Sequence, residues 1–158
     1  TIAQIVRDTV ILEFAPTLVC IVLAGVAGSR IASELGNMRV SEQIDALEIM
    51  GVNTKTYLIL PKIAAALLMI PLLVVIAMAL GIWGGRLAGT MSFFVPYNVI
   101  FALTKAYVFS FIISSVPAFY GYYVKGGALE IGRASTKAVV VSCILILFAD
   151  YILSALLL

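Results

Sequence analysis

Long apolar stretches separated by short polar ones dominate this chain. Residues 9–36, 57–85, 105–123 and 137–158 form four such stretches, each about as long as the ~20 residues a helix needs to cross the hydrocarbon core of a bilayer. None alternates between apolar and polar positions as a barrel strand would. The pattern predicts an all-α, polytopic helical membrane protein with four transmembrane helices in one domain. The third helix has room to begin earlier, near Pro96.

Small residues recur every four positions in two of the stretches: Ala24, Gly28, Ala32 and Gly36, then Ala77, Gly81, Gly85 and Gly89. Spacing of this kind lines one helical face and lets backbones approach closely. Gly28, Gly36, Gly81 and Gly85 are therefore expected helix-packing points, on faces that can also slide past a neighbour. Pro61, Pro71 and Pro117 are expected to kink their helices. Residues 1–56 and 57–123 do not resemble each other, which gives no support to an inverted-repeat transporter.

The polar segment between the first two stretches reads NMRVSEQIDALEIMGVN. Ser41 is suited to cap a helix, with Glu42 and Asp45 near its positive end, and Gly51 suits the position just past its end. A short helix over 41–50 is predicted. Val40, Ile44, Leu47 and Met50 fall towards one side, and Glu42, Gln43, Asp45 and Glu48 fill much of the rest. Two readings stand: a helix lying in the membrane interface, or a docking helix that enters a groove on a soluble partner. The acidic face argues against the first, because interfacial helices favour Lys and Arg.

Composition agrees with lipid as the main solvent. Hydrophobic residues make up 63% and charged ones 11%, against about a quarter charged in soluble domains. A net charge of +2 without a basic run gives no basis for nucleic-acid binding. Histidine is absent, and Cys20 and Cys143 stand in apolar stretches without ligand spacing, so no catalytic residue and no metal site is expected. No phosphate-binding GxxxxGK[ST] motif occurs. The chain is expected to have no ATP site of its own, so its energy comes from a partner. Arg30, Arg39, Lys55, Lys62, Lys125, Arg133 and Lys137 fall on one side of the four-span arrangement, against Arg7, Arg86 and Lys105 on the other. That bias makes the side with the 37–56 and 124–136 loops cytoplasmic.

In this topology Glu13, Lys105 and Asp150 all lie in the outer half of the membrane. Asp150 follows Lys137 in an outward-running helix, roughly 20 Å up at 1.5 Å per residue. Buried charge is costly and normally pairs or faces water. The three residues are either a static ion cluster that fixes helix register or the polar lining of an outward-open cavity for a lipid headgroup. Tyr107, Phe109, Phe111 and Phe119 are either greasy walls of that cavity or plain packing. Arg30 and Glu34, one turn apart, are expected to pair. Tyr120, Tyr122 and Tyr123 with Lys125 have the composition of an interfacial anchor.

The segment LAGVAGSRIASELGNMRVSEQIDALEIMGVN, residues 23–53, resembles the signature of MlaE-family permeases, also called YrbE-type. The match continues through YLILPKIAAALLMIPLL (57–73), GIWGG (81–85), GRASTKAVV (132–140) and FADYILSALL (148–157). The resemblance implies the membrane subunit of an ABC transporter that moves phospholipids or related lipids between the inner and outer membranes. It implies a coupling helix within 34–52 that sits in a cleft of a separate ATPase, with Arg39, Ser41, Glu42, Gln43, Asp45, Leu47 and Glu48 as its residues. ATP and Mg would be bound by that ATPase, leaving this chain without a cofactor. Further implied partners are an MCE-domain periplasmic protein, in some systems a STAS-domain protein, a phospholipid and a second copy of the chain, all at the bacterial inner membrane. The family has five spans preceded by an interfacial helix, so this chain would hold the last four. The family often has Arg where Leu12 and Val26 stand here. The rival expectations are a secondary carrier or channel-like protein for a small solute, using the Lys105–Asp150 level as its ion site, and a scaffold without a translocation path.

Overall fold

The computed structural model describes residues 2–87 and 96–157. Four long helices carry the fold: α1 (Ile2–Val40), α3 (Lys55–Leu87), α4 (Pro96–Tyr122) and α5 (Ala128–Leu157). The short α2 (Gln43–Ile49) lies between α1 and α3. No strand occurs among the described residues. All four long helices are apolar and long enough to cross a membrane, so the chain is an all-α, multi-pass membrane protein. In lipid every backbone polar group must be satisfied within the segment, which leaves the helix as the form such apolar runs take.

The helices outrun the apolar stretches that announce them. α1 extends beyond 9–36 at both ends, and α4 begins at Pro96. Proline is well placed at a helix start because its missing N–H would have had no partner there. The hydrophobic pattern marks where lipid demands a helix, whereas hydrogen bonding carries the helix on until a turn stops it. α1 is also irregular: it widens to π-helical turns over Val10–Leu18 and Ala24–Gly28.

Ser41 does not cap α2. It ends α1, its Oγ donating back to the Asn37 carbonyl at 2.7 Å. Glu42 then takes a left-handed conformation, φ 61°, and is the residue that precedes α2. The helix end follows the expected chemistry more closely. Gly51 has φ 81°, its N–H bonds Glu48 O, and the Val52 N–H bonds Leu47 O, the paired bonds of a Schellman ending.

α4 is the centre of the bundle and packs against α1, α3 and α5. Ala24, Gly28, Ala32 and Gly36 are all buried. Cβ positions built on Gly28 and Gly36 fall 3.1 Å from Pro117 of α4 and 3.2 Å from Ile131 of α5. On Gly81 a Cβ would come within 2.8 Å of a Val10 methyl. Gly85 lies partly buried on the same helix, and Gly89 falls outside the described residues. The tightest approach belongs to Gly121 of α4, whose Cβ would stand 2.5 Å from the Ala32 carbonyl oxygen. Backbone cannot move aside as a side chain can. Gly121→Ala should therefore lower the thermal stability of the solubilised chain by about 1–3 kcal/mol. Gly25→Ala, with nothing within 4 Å, should not, and equal melting of the two variants would refute this contact.

Candidate functional site

The outer site starts from a proline. Pro16 has no N–H to offer the Leu12 carbonyl one turn back, and it lies in the widened turn Val10–Leu18. Lys105 Nζ donates to that carbonyl at 3.2 Å. The same ammonium bonds Glu13 Oε2 at 2.7 Å and Asp150 Oδ1 at 2.5 Å. An ammonium has three N–H donors, so Lys105 is saturated. The Phe101 ring covers it at 4.9 Å, and its side chain is completely buried. Thr17 Oγ donates to Asp150 Oδ1 at 3.2 Å. Glu13, Lys105 and Asp150 thus meet at the junction of α1, α4 and α5. Asp150 is 14% exposed and Glu13 46%.

The aromatic residues do not form one wall beside this cluster. Phe109 is fully buried in the core, while Tyr107, Phe111 and Phe119 are half exposed. Local spacing could have pointed to Phe101, one turn before Lys105, and to Thr17, one turn after Glu13.

A second polar network lies at the opposite end of α4. Arg39 forms an ion pair with Asp45 at 2.8 Å. Its Nε donates to the Tyr122 carbonyl at 2.9 Å, and its guanidinium lies 4.6 Å from the Tyr122 ring centre. The Tyr122 hydroxyl is 2.6 Å from Thr54 Oγ. Both hydroxyl oxygens lie 3.1 Å from Glu48 Oε1; with one proton each, one hydroxyl donates to the carboxylate and the other donates to its neighbouring hydroxyl. Tyr122 and Thr54 are almost fully buried. One hydroxyl thus joins α2, the start of α3 and the end of α4. Tyr122 is a buried connector here rather than an interfacial anchor, whereas Tyr123 is half exposed. Glu34 pairs with Lys62 of α3 at 2.8 Å, and Arg30 stands exposed. The expected Arg30–Glu34 pair is replaced by an interhelical one.

The short helix between α1 and α3 buries Ile44 completely, while Glu42, Gln43 and Asp45 are exposed. Leu47 is half-buried, and Ser41 and Glu48 are exposed at its edge. Met50 does not join the buried side: Ile49 is 87% exposed and Met50 is its exposed neighbour. The free surface of this helix therefore combines an acidic start with an apolar tip.

Comparison with known proteins follows the same lines. The sequence model of the family described as Permease MlaE matches residues 1–156. A probable ABC transporter permease protein of Rickettsia bellii is 40% identical, over 99% of this chain and 66% of that protein. TRIGALACTOSYLDIACYLGLYCEROL 1, chloroplastic, of Arabidopsis thaliana is 34% identical, over 90% of this chain and 45% of that protein. The intermembrane phospholipid transport system permease protein MlaE of Haemophilus influenzae is 29% identical, over 98% of this chain and 65% of its own length. The chain spans just under two thirds of the length of the Rickettsia relative.

Proposed function

This chain belongs to the MlaE permease family, and on that premise we propose that it is the membrane subunit of an ABC transporter that moves phospholipids between membranes. The energy comes from a separate ATPase that binds ATP and Mg and docks on α2. The observation that carries this reading is the build of α2: an exposed acidic and apolar surface on one side, and on the other a buried hydrogen-bond network into α3 and α4. A helix that merely rested on lipid would need no such ties. A lever needs them.

The mechanism follows from α4. Tyr122 sits at one end of this helix and Lys105 towards the other, roughly 25 Å apart at 1.5 Å per residue. Closure of the ATPase pushes α2 as a rigid body. The Tyr122 network passes the push to α4, and α4 moves Lys105 against Glu13 and Asp150. The lipid headgroup site is this outer cluster, and its affinity changes with the stroke. The close contact of Gly28 with Pro117 lets α1 and α4 shift without large side chains in the way. ABC ATPases act in pairs, which calls for a second copy of this chain. An MCE-domain protein on the periplasmic side, a STAS-domain protein in some systems and residence in the bacterial inner membrane complete the proposed setting.

The docking surface is tested at Ile49, the exposed tip that takes no part in the network. Ile49→Asp should weaken association with the ATPase subunit at least about tenfold, as read by titration of the purified subunit onto the chain in nanodiscs. The melting temperature of the membrane domain should not change. Undiminished association would refute docking on α2.

A further inference from the structure

The charges of the outer cluster are presented to a ligand unequally. Lys105 is sealed: three acceptors use its donors, the Phe101 ring covers it, and none of its side chain is exposed. Asp150 is mostly covered and also accepts from Thr17. Glu13 alone is widely open. The cluster therefore has two formal negative charges against one positive, and its accessible face is a carboxylate. Among the described residues no other cation offsets this. Arg7, further out on α1, pairs with Asp8 at 2.7 Å. Asp8 in turn accepts from Asn98 of α4. Arg86 lies further out still, past the Gly81–Val10 contact of α3. Leu12, beside Glu13, carries no charge.

An anionic headgroup arriving here meets a carboxylate and, among the described residues of the cluster, no reachable cationic donor, because Lys105 can be reached only by breaking an ion pair. A primary ammonium meets an acceptor of opposite charge with lone pairs to spare. We infer that the outer site selects phospholipids whose headgroup ends in a primary ammonium, of the phosphatidylethanolamine type, over net-anionic ones of the phosphatidylglycerol type. The inference rests on the reading of Glu13, Lys105 and Asp150 as the headgroup site.

The test uses the assembled transporter in nanodiscs of equal phosphatidylethanolamine and phosphatidylglycerol. A chelator is present so that no divalent ion bridges an anionic lipid to Glu13. A photo-crosslinking amino acid replaces Phe14, the exposed neighbour of Glu13, and captured lipids are identified by mass spectrometry. Phosphatidylethanolamine should be captured about tenfold over phosphatidylglycerol. Glu13→Gln should bring the ratio near one. Leu12→Arg, which leaves the cluster in place and adds a cation beside it, should turn the ratio towards phosphatidylglycerol. Equal capture by the native chain, or a ratio that neither variant moves, overturns the headgroup inference and leaves the site reading standing. Capture of neither lipid, while probes elsewhere on the chain do capture lipid, overturns both.

Discussion

Lys105→Met should abolish lipid transport and weaken the fold at the same time. The substitution keeps the length and apolar body of the side chain and removes the charge that two carboxylates share. Removing one partner of a buried ion pair costs about 3–5 kcal/mol, because the other is left uncompensated. Chemical denaturation in detergent should show a loss of that size. The decisive comparison is the triple variant Glu13→Gln, Lys105→Met, Asp150→Asn. Exchanging a whole buried ionic cluster for neutral groups of similar shape is often close to neutral for stability, so most of the loss should return. Transfer of lipid between vesicles should not return, because the headgroup site has gone. A triple variant that is stable and transports normally would reduce the cluster to a tie between α1, α4 and α5.

Tyr122→Phe should separate ATP hydrolysis from transport. It removes one oxygen and leaves in place the ring under Arg39 and the backbone carbonyl that Arg39 Nε reaches. What disappears is the hydroxyl shared with Thr54 and Glu48. A hydrogen bond to a charged group is worth about 1.5–3 kcal/mol, so the lipid moved per ATP should fall by tenfold or more. Hydrolysis itself should continue, since the exposed side of α2 is unchanged. Thr54→Val should give the same phenotype, and the double variant should be little worse than either single one, as expected of residues in one network. Hydrolysis and lipid transfer measured on the same preparation check this. Unchanged transport per ATP would show that the push travels by another route.

The broad plan was legible because lipid imposes a simple rule on sequence: four apolar stretches become four helices. Gly51 was legible as a helix end because few other residues tolerate its φ of 81°. Depth along the helices was enough to bring Glu13, Lys105 and Asp150 to one level, but not to say that Lys105 bonds both acids together. Structure and sequence pattern part where a local rule meets a neighbouring element. Ser41 has the character of an N-cap, yet α1 runs on to Val40 and takes Ser41 as its end. Arg30 and Glu34 have favourable spacing, but Lys62 reaches Glu34 across the bundle. Tyr122 resembled its neighbours in composition and differs from Tyr123 only in the face it occupies. The Leu12 carbonyl has its own signal in the sequence: a proline four residues later removes its α-helical donor.

One unbroken helix, α4, joins the polar site at Tyr122 to the one at Lys105, seventeen residues back along it. Traffic along such a rod runs both ways by thermodynamic necessity: if nucleotide-driven closure alters lipid affinity by some factor, lipid occupancy alters the affinity for that closed state by the same factor. On this reading the cargo acts back on the motor, through its affinity for the nucleotide-closed state.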